Sequence, residues 1–237
     1  MRIRNFLALL VGVLLSSTYA FASDDDGDDR SRQTSLRTYE VTIINLTRGQ
    51  VFTPQLLATH RASVRLFELG QPASQALEIL AEGGDTAPLT MSLLDHYDKV
   101  SEVKTVAGLL MPGQRVSTRI SASSRHRFLS MAAMLIPTND TFVAVDGLRL
   151  PKRGQRSVLA LGYDAGTEAN DQNCLHIPGP RCHGEGHSPG PNVGDEGYVY
   201  VSNGFHELPQ AEEGEVLSPQ VYDWRNPIAR VVVERID

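Results

Sequence analysis

Apolar and polar residues alternate where the ordered part of the chain begins. Tyr39, Val41 and Ile43 interleave with Glu40, Thr42 and Ile44, a period of two that predicts a strand with one buried face. A second extended piece is expected at Leu56–Thr59, after Pro54. The pattern then changes. Residues 73–81 (ASQALEILA) are helix formers, with Ser74 placed to cap the start and Gly83-Gly84 to stop the helix. A second short helical segment is expected over Met91–Asp98.

From Lys104 onward the period of two returns. Strands are predicted at Lys104–Ala107, Arg115–Ile120, Phe128–Ile136, Thr141–Leu148, Val158–Gly162, Tyr198–Ser202 and Ile228–Arg235. Turn formers separate them at Pro112-Gly113, at Pro137-Thr138-Asn139-Asp140, at Gly154 and across a Gly/Pro-rich stretch from Pro178 to Gly197. Many short strands at this spacing predict an all-β fold, an antiparallel sandwich or barrel with one or two helical excursions. The β-branched run VVVERI fits a central strand.

The first residues add a compartment. Arg2 and Arg4 precede an apolar run from Phe6 to Leu15, and Ala20-Phe21-Ala22 fits a small-x-small cleavage site. The run is shorter than the roughly 20 residues a bilayer requires, so residues 1–22 read as a secretory signal peptide. No later segment is long and apolar enough to be a transmembrane span. Residues 23–38, with DDDGDD and few apolar groups, read as an acidic disordered linker, leaving 39–237 as one domain. Without the leader the chain carries 20 basic against 28 acidic side chains, which argues against a nucleic-acid partner. The product is expected to be secreted or periplasmic.

Cys174 and Cys182 are the two cysteines, and an even count in an exported chain predicts one disulfide closing a small loop. They sit in CLHIPGPRCHGEGH with His176, His183 and His187, so a Cys/His metal site within 174–187, serving a hydrolase, is the competing reading. The spacing matches no common zinc motif, and thiolates in an oxidising compartment pair first. There is no G-x-S-x-G, H-E-x-x-H, P-loop or C-x-x-C. Ser188 with His183 or His187 has nothing to fix a triad geometry, and Gly184-Glu185-Gly186 reads as a flexible loop. Asn45-Leu46-Thr47 and Asn139-Asp140-Thr141 fit the glycosylation sequon. Trp224 is expected to pack on the end of the sandwich, with a carbohydrate or protein contact as the alternative.

Acidic residues supply the other candidate chemistry. Asp140 stands in a turn before a predicted strand. Asp164 follows another strand, with Glu168 four residues on and Gly166 between them allowing a sharp turn. Carboxylates converging from such turns suit a hard cation such as Ca²⁺, which takes six to eight oxygens. Two separate solvated turns would produce the same spacing.

Five stretches, in order, resemble the spondin domain family, which includes the N-terminal domains of the F-spondin and mindin matrix proteins and shorter bacterial exported proteins. They are YEVTIINLTRGQVFTPQLLATH, RLFELGQPASQALEILAEGG, FLSMAAMLIPTNDTFVAVDGL, YDAGTE and NPIARVVVERI. The resemblance implies a sandwich shaped like a C2 domain, with a calcium ion held by loop acids that fall on Asp140, Asp164 and Glu168. The family has Asp where this chain has Glu168. The segment 174–197 differs from the animal members and resembles the bacterial ones. The chain stops at Asp237 with no thrombospondin-type repeat, so integrin or matrix attachment is not carried over. The resulting expectation is an exported, calcium-binding, non-enzymatic binding or adhesion module of the cell envelope or extracellular matrix. Its partner would be a protein, a polysaccharide or a lipid head group. A purely structural envelope protein is the other alternative.

Overall fold

The computed structural model describes residues 35–182 and 194–237. The segment read as a signal peptide, most of the expected acidic linker, and His183, Gly184-Glu185-Gly186, His187 and Ser188 lie outside the described residues. Ten strands and three short α-helices are present among the described residues. The strands are β1 (Leu36–Asn45), β2 (Val51–Phe52), β3 (Gln55–His60), β4 (Val100–Val106) and β5 (Arg115–Ser123). They continue with β6 (Phe128–Ile136), β7 (Thr141–Arg149), β8 (Gln155–Asp164), β9 (Tyr200–Val201) and β10 (Ala229–Arg235). The helices are α1 (Gln75–Gly83), α2 (Ala87–Leu94) and α3 (Pro219–Tyr222).

Every strand pairing is antiparallel, in the order β4-β3-β6-β7-β8-β10-β1-β5, with β2 on β6 and β9 on β8. β8 belongs to both layers of the sandwich. Its first half, Gln155–Ala160, pairs with β10, and its second half, Leu161–Asp164, pairs with β7. The chain therefore turns the corner from one sheet to the other within a single strand, a common way to close a sandwich.

Two apolar clusters explain the burial patterns. One lies between the sheets and joins Tyr39, Val41 and Ile43 of β1 to Leu129, Met131 and Leu135 of β6 and Val231 and Val233 of β10. The other lies on the far side of the second sheet. There Leu77, Leu80 and Leu89 of the two helices cover Leu56, Ala132 and Phe142. β3, β6 and β7 are thus covered on both faces, and β3 is buried at every position. β1 and β10 have one solvated face and keep the alternation seen in the sequence. Burying a large aliphatic side chain contributes about 1.5–3 kcal/mol, so the helical lid stabilises the second sheet substantially.

Ser74 caps α1 as expected, its Oγ accepting from the Leu77 N–H at 3.3 Å. Gly84 closes the helix at φ 69°. Several boundaries differ from the sequence reading. β1 starts at Leu36, so the linker ends sooner than Thr38, because Leu36–Thr38 pair with Ser121–Ser123 of β5. The second helix runs over Ala87–Leu94 rather than Met91–Asp98, since Pro88 in its first turn favours a start there. β4 begins at Val100, before Lys104, because β3 supplies its hydrogen-bond partners along Val100–Val106. The segment Tyr198–Ser202 contributes only Tyr200–Val201, which pair with the end of β8.

Candidate metal centre at the β6–β7 and β8 loop end

The turn between β6 and β7 is held by its own side chains. Thr138 donates its hydroxyl to the Leu135 carbonyl at 2.6 Å and accepts the Thr141 N–H at 3.2 Å. Asp140 occupies the last position of that turn. The β7–β8 register pairs Thr141 with Asp164, which carries Asp164 alongside Asp140. The Ala165 N–H then donates to the Asp140 carbonyl at 3.2 Å and pins the outgoing loop to the turn.

That loop folds over the Asp140 side chain. Oδ2 accepts from the Thr167 N–H at 2.7 Å, the Thr167 hydroxyl at 3.2 Å and the Glu168 N–H at 3.1 Å. Asp164 Oδ1 accepts from the Gly166 N–H at 3.0 Å. Gly166 is required here: its φ is +67°, and a Cβ would stand 2.3 Å from the Tyr198 carbonyl oxygen. Asn139 and Asn170 brace the outside. Asn139 donates to Asp171 Oδ1 at 3.0 Å, and Asn170 donates to the Tyr200 hydroxyl at 2.9 Å, which in turn donates to Glu196 at 3.1 Å.

The electrostatics of the pair are unfavourable as it stands. Asp140 and Asp164 are both buried, and no lysine or arginine pairs with either among the described residues. Burial pushes the Asp140 carboxyl up to about 6, against its hydrogen bonds to the Thr167 and Glu168 amides. Burial, with the Asp140 charge added, pushes Asp164 up to about 8. Burial, with Asp164 and Glu196 beside it, raises Tyr200 as well. Asp140 Oδ1 is buried with no donor in reach. A hydrogen bond across to Asp164 forms only when one of the two carboxyls holds a proton. A buried orphan acceptor next to a second buried carboxylate fits a hard cation, which supplies the missing positive charge.

The fold joins Asp140 to Asp164 and seats the Glu168 backbone N–H against Asp140. Glu168 is itself buried. Among the described residues, no three His, Cys, Asp or Glu side chains close into a ligating group. The bracing residues Asn170, Glu196 and Tyr200 were not singled out in the sequence. Asn170 and Glu196 lie in loops, and Tyr200 read only as a strand residue, so no local pattern distinguished them.

The other candidates resolve differently. Cys174 and Cys182 form a disulfide, so neither sulfur is a thiolate ligand. His176 is paired through Nδ1 with Asp171 Oδ2. Trp224 is buried in the inter-sheet core against Phe205, ring centres 5.6 Å apart, and does not offer an exposed contact. Both sequon asparagines are buried. Asn45 donates to the Gln50 and Leu110 carbonyls, and Asn139 to Asp171, so neither amide is presented for glycosylation in the folded chain. Buried His60 and Ser130 and partly buried Asp146 form a chain, but in an order that is not a triad. Ser130 sits in the middle, 2.7 Å from His60 Nε2 and donating to Asp146 at 2.9 Å.

Residues 37–172, more than half of the chain, match the family model Spondin_N. Among curated proteins, none matches the chain.

Proposed function

The chain belongs to the Spondin_N family, and from that premise we propose that it is an exported, calcium-dependent binding module of the cell envelope or extracellular matrix. The family generally consists of non-enzymatic extracellular modules, and the Cys174–Cys182 disulfide suits an oxidising compartment. No helix among the described residues is long and apolar enough to cross a membrane.

The buried Asp140–Asp164 pair carries this reading. Asp140 and Asp164 would hold Ca²⁺ by their carboxylates, with Glu168, backbone carbonyls and water completing the oxygen set. The bound ion would neutralise the two crowded acids and present a positive charge to an acidic group on a partner. The residues of this chain do the rest. The Thr167, Glu168 and Gly166 N–H groups orient the carboxylates, and Gly166 lets the loop close over them. The partner is an acidic group of a protein, polysaccharide or lipid head group.

Calorimetric titration with CaCl₂ tests the reading. Binding with a Kd of about 0.1–1 mM is expected, in line with extracellular calcium modules, and Asp164→Ala should lose it. No heat of binding, or equal binding by the variant, would refute it. Equal thermal stability in calcium and in chelator would leave the purely structural envelope reading in its place.

A further inference from the structure

The end of the sandwich opposite the acidic loops is basic. β6 runs nine residues, from Phe128 to Ile136, before the Asp140 turn, so the two ends are roughly 25 Å apart. At the Phe128 end lies a cavity of about 320 Å³. Arg37 of β1, Arg127 before β6, Arg149, Lys152 and Arg153 around the β7–β8 hairpin, and Arg235 of β10 all line it. These are six of the chain's 22 lysines and arginines, in a protein of net charge −6.

Their partners leave the charge open. Arg235 pairs with Asp237, Nε to Oδ1 at 2.9 Å. Among the described residues, none of the other five makes an ion pair. What holds them is backbone. Arg235 Nη1 donates to the Lys152 carbonyl at 2.7 Å, and the Arg235 N–H donates to the Gly154 carbonyl at 2.9 Å, tying the hairpin to β10. Arg127 Nε donates to the Ser124 carbonyl at 3.0 Å. Gly154 at φ +63° and Pro151 shape the hairpin that sets Lys152 and Arg153 on the rim. Uncompensated like charges converging on a concavity repel one another unless an anion enters, and guanidinium forks are shaped for oxyanions.

We infer that this cavity is a second binding site, distinct from the acidic end, and that it takes sulfate or phosphate esters carried on a polysaccharide. Two observations favour a chain over a single ion or a membrane. The cations continue out of the cavity into a shallow depression lined by Arg149, Lys152, Arg153 and Arg156, a track for repeated anionic groups. Within the cavity they face one another across a hollow rather than forming the flat basic face that suits a bilayer.

The test is calorimetric titration of the full-length exported protein, in chelator, with a sulfated hexasaccharide and with a phosphorylated oligomannose. Binding of at least one is expected, weakening as NaCl is added. The double variant K152E/R153E, on the exposed hairpin, should lose about tenfold or more in affinity with its melting temperature retained. Asp140→Asn should bind the sugar as the parent does. This separates failure here from failure of the calcium reading. Absence of binding by both sugars, equal binding by the double variant, or equal binding of the desulfated hexasaccharide would overturn the assignment. So would binding to phosphatidylglycerol vesicles with no response to either sugar.

Discussion

Replacing Asp164 by Asn should stabilise the protein without calcium and deprive it of the stabilisation that calcium brings. In chelator, the folded state holds two buried carboxyls within hydrogen-bonding reach of each other and no cation beside them. The ordinary aspartate value of 3.8 rises to about 8 at Asp164. At about 1.4 kcal/mol per unit, this is a penalty with an upper limit on the order of 6 kcal/mol once both groups are charged. A proton shared by the pair relieves part of it, so a net gain of about 2 kcal/mol is expected for Asp164→Asn at pH 8. The Asn oxygen can still accept the Gly166 N–H, and its amide offers Asp140 the donor it lacks. For a domain of this size, 2 kcal/mol raises the melting temperature by about 4–8 °C.

The pH dependence has a definite sign. A carboxyl whose folded value is raised binds more protons in the folded state. Its contribution to stability is therefore complete below about pH 4 and is lost as pH rises through about 8. Thermal melts in chelator from pH 5 to pH 8 should show the parent losing stability and Asp164→Asn losing much less. With millimolar calcium the order should reverse, because only the parent retains both carboxylates. Identical melts of parent and variant in chelator across that range would refute the claim that the two acids are crowded in the fold.

Further substitutions probe the scaffold. Gly166→Ala must place a Cβ against the Tyr198 carbonyl at positive φ, and should cost about 2 kcal/mol or more in urea unfolding and abolish calcium-dependent stabilisation. Ser130→Ala leaves His60 Nε2, Asp146 Oδ1 and the Gly147 N–H without the hydroxyl that joins them. A loss of about 1–3 kcal/mol by chemical denaturation is expected. The double variant C174S/C182S opens a loop of eight-residue separation and should cost about 2–3 kcal/mol, read as a lower urea midpoint under non-reducing conditions.

Legibility in the sequence depended on how many faces of an element are buried. β1 was readable because only one of its faces meets the core, so Tyr39, Val41 and Ile43 mark it by alternation. β6 was readable as a continuous apolar run, FLSMAAMLI, but the reason for that run was not. Only the position of α1 and α2 over the second sheet explains why Ala132 needs to be as apolar as Met131. The two-residue β9 could not be delimited, because its pairing comes from β8 rather than from its own pattern. The sequons looked available because a sequence carries no burial, whereas Trp224 was expected to pack and does. Asn45, Asn139 and Trp224 are all inside.

What the chain determines on its own is local and periodic: the strand and helix rhythm, the Ser74 cap, the sharp turn that Gly166 allows, and the pairing of its two cysteines. These follow from backbone sterics, side-chain periodicity and redox chemistry, which act over a few residues or on composition. What only the tertiary structure decides is which charges meet. Asp140 and Asp164 are 24 positions apart and become neighbours through the Thr141–Asp164 register. Arg37 and Arg235 reach one cavity because β1 and β10 lie side by side with Tyr39 opposite Arg235. Register and sheet order set these encounters, and both come from burying apolar faces across the whole domain, a global balance that no short window of sequence contains.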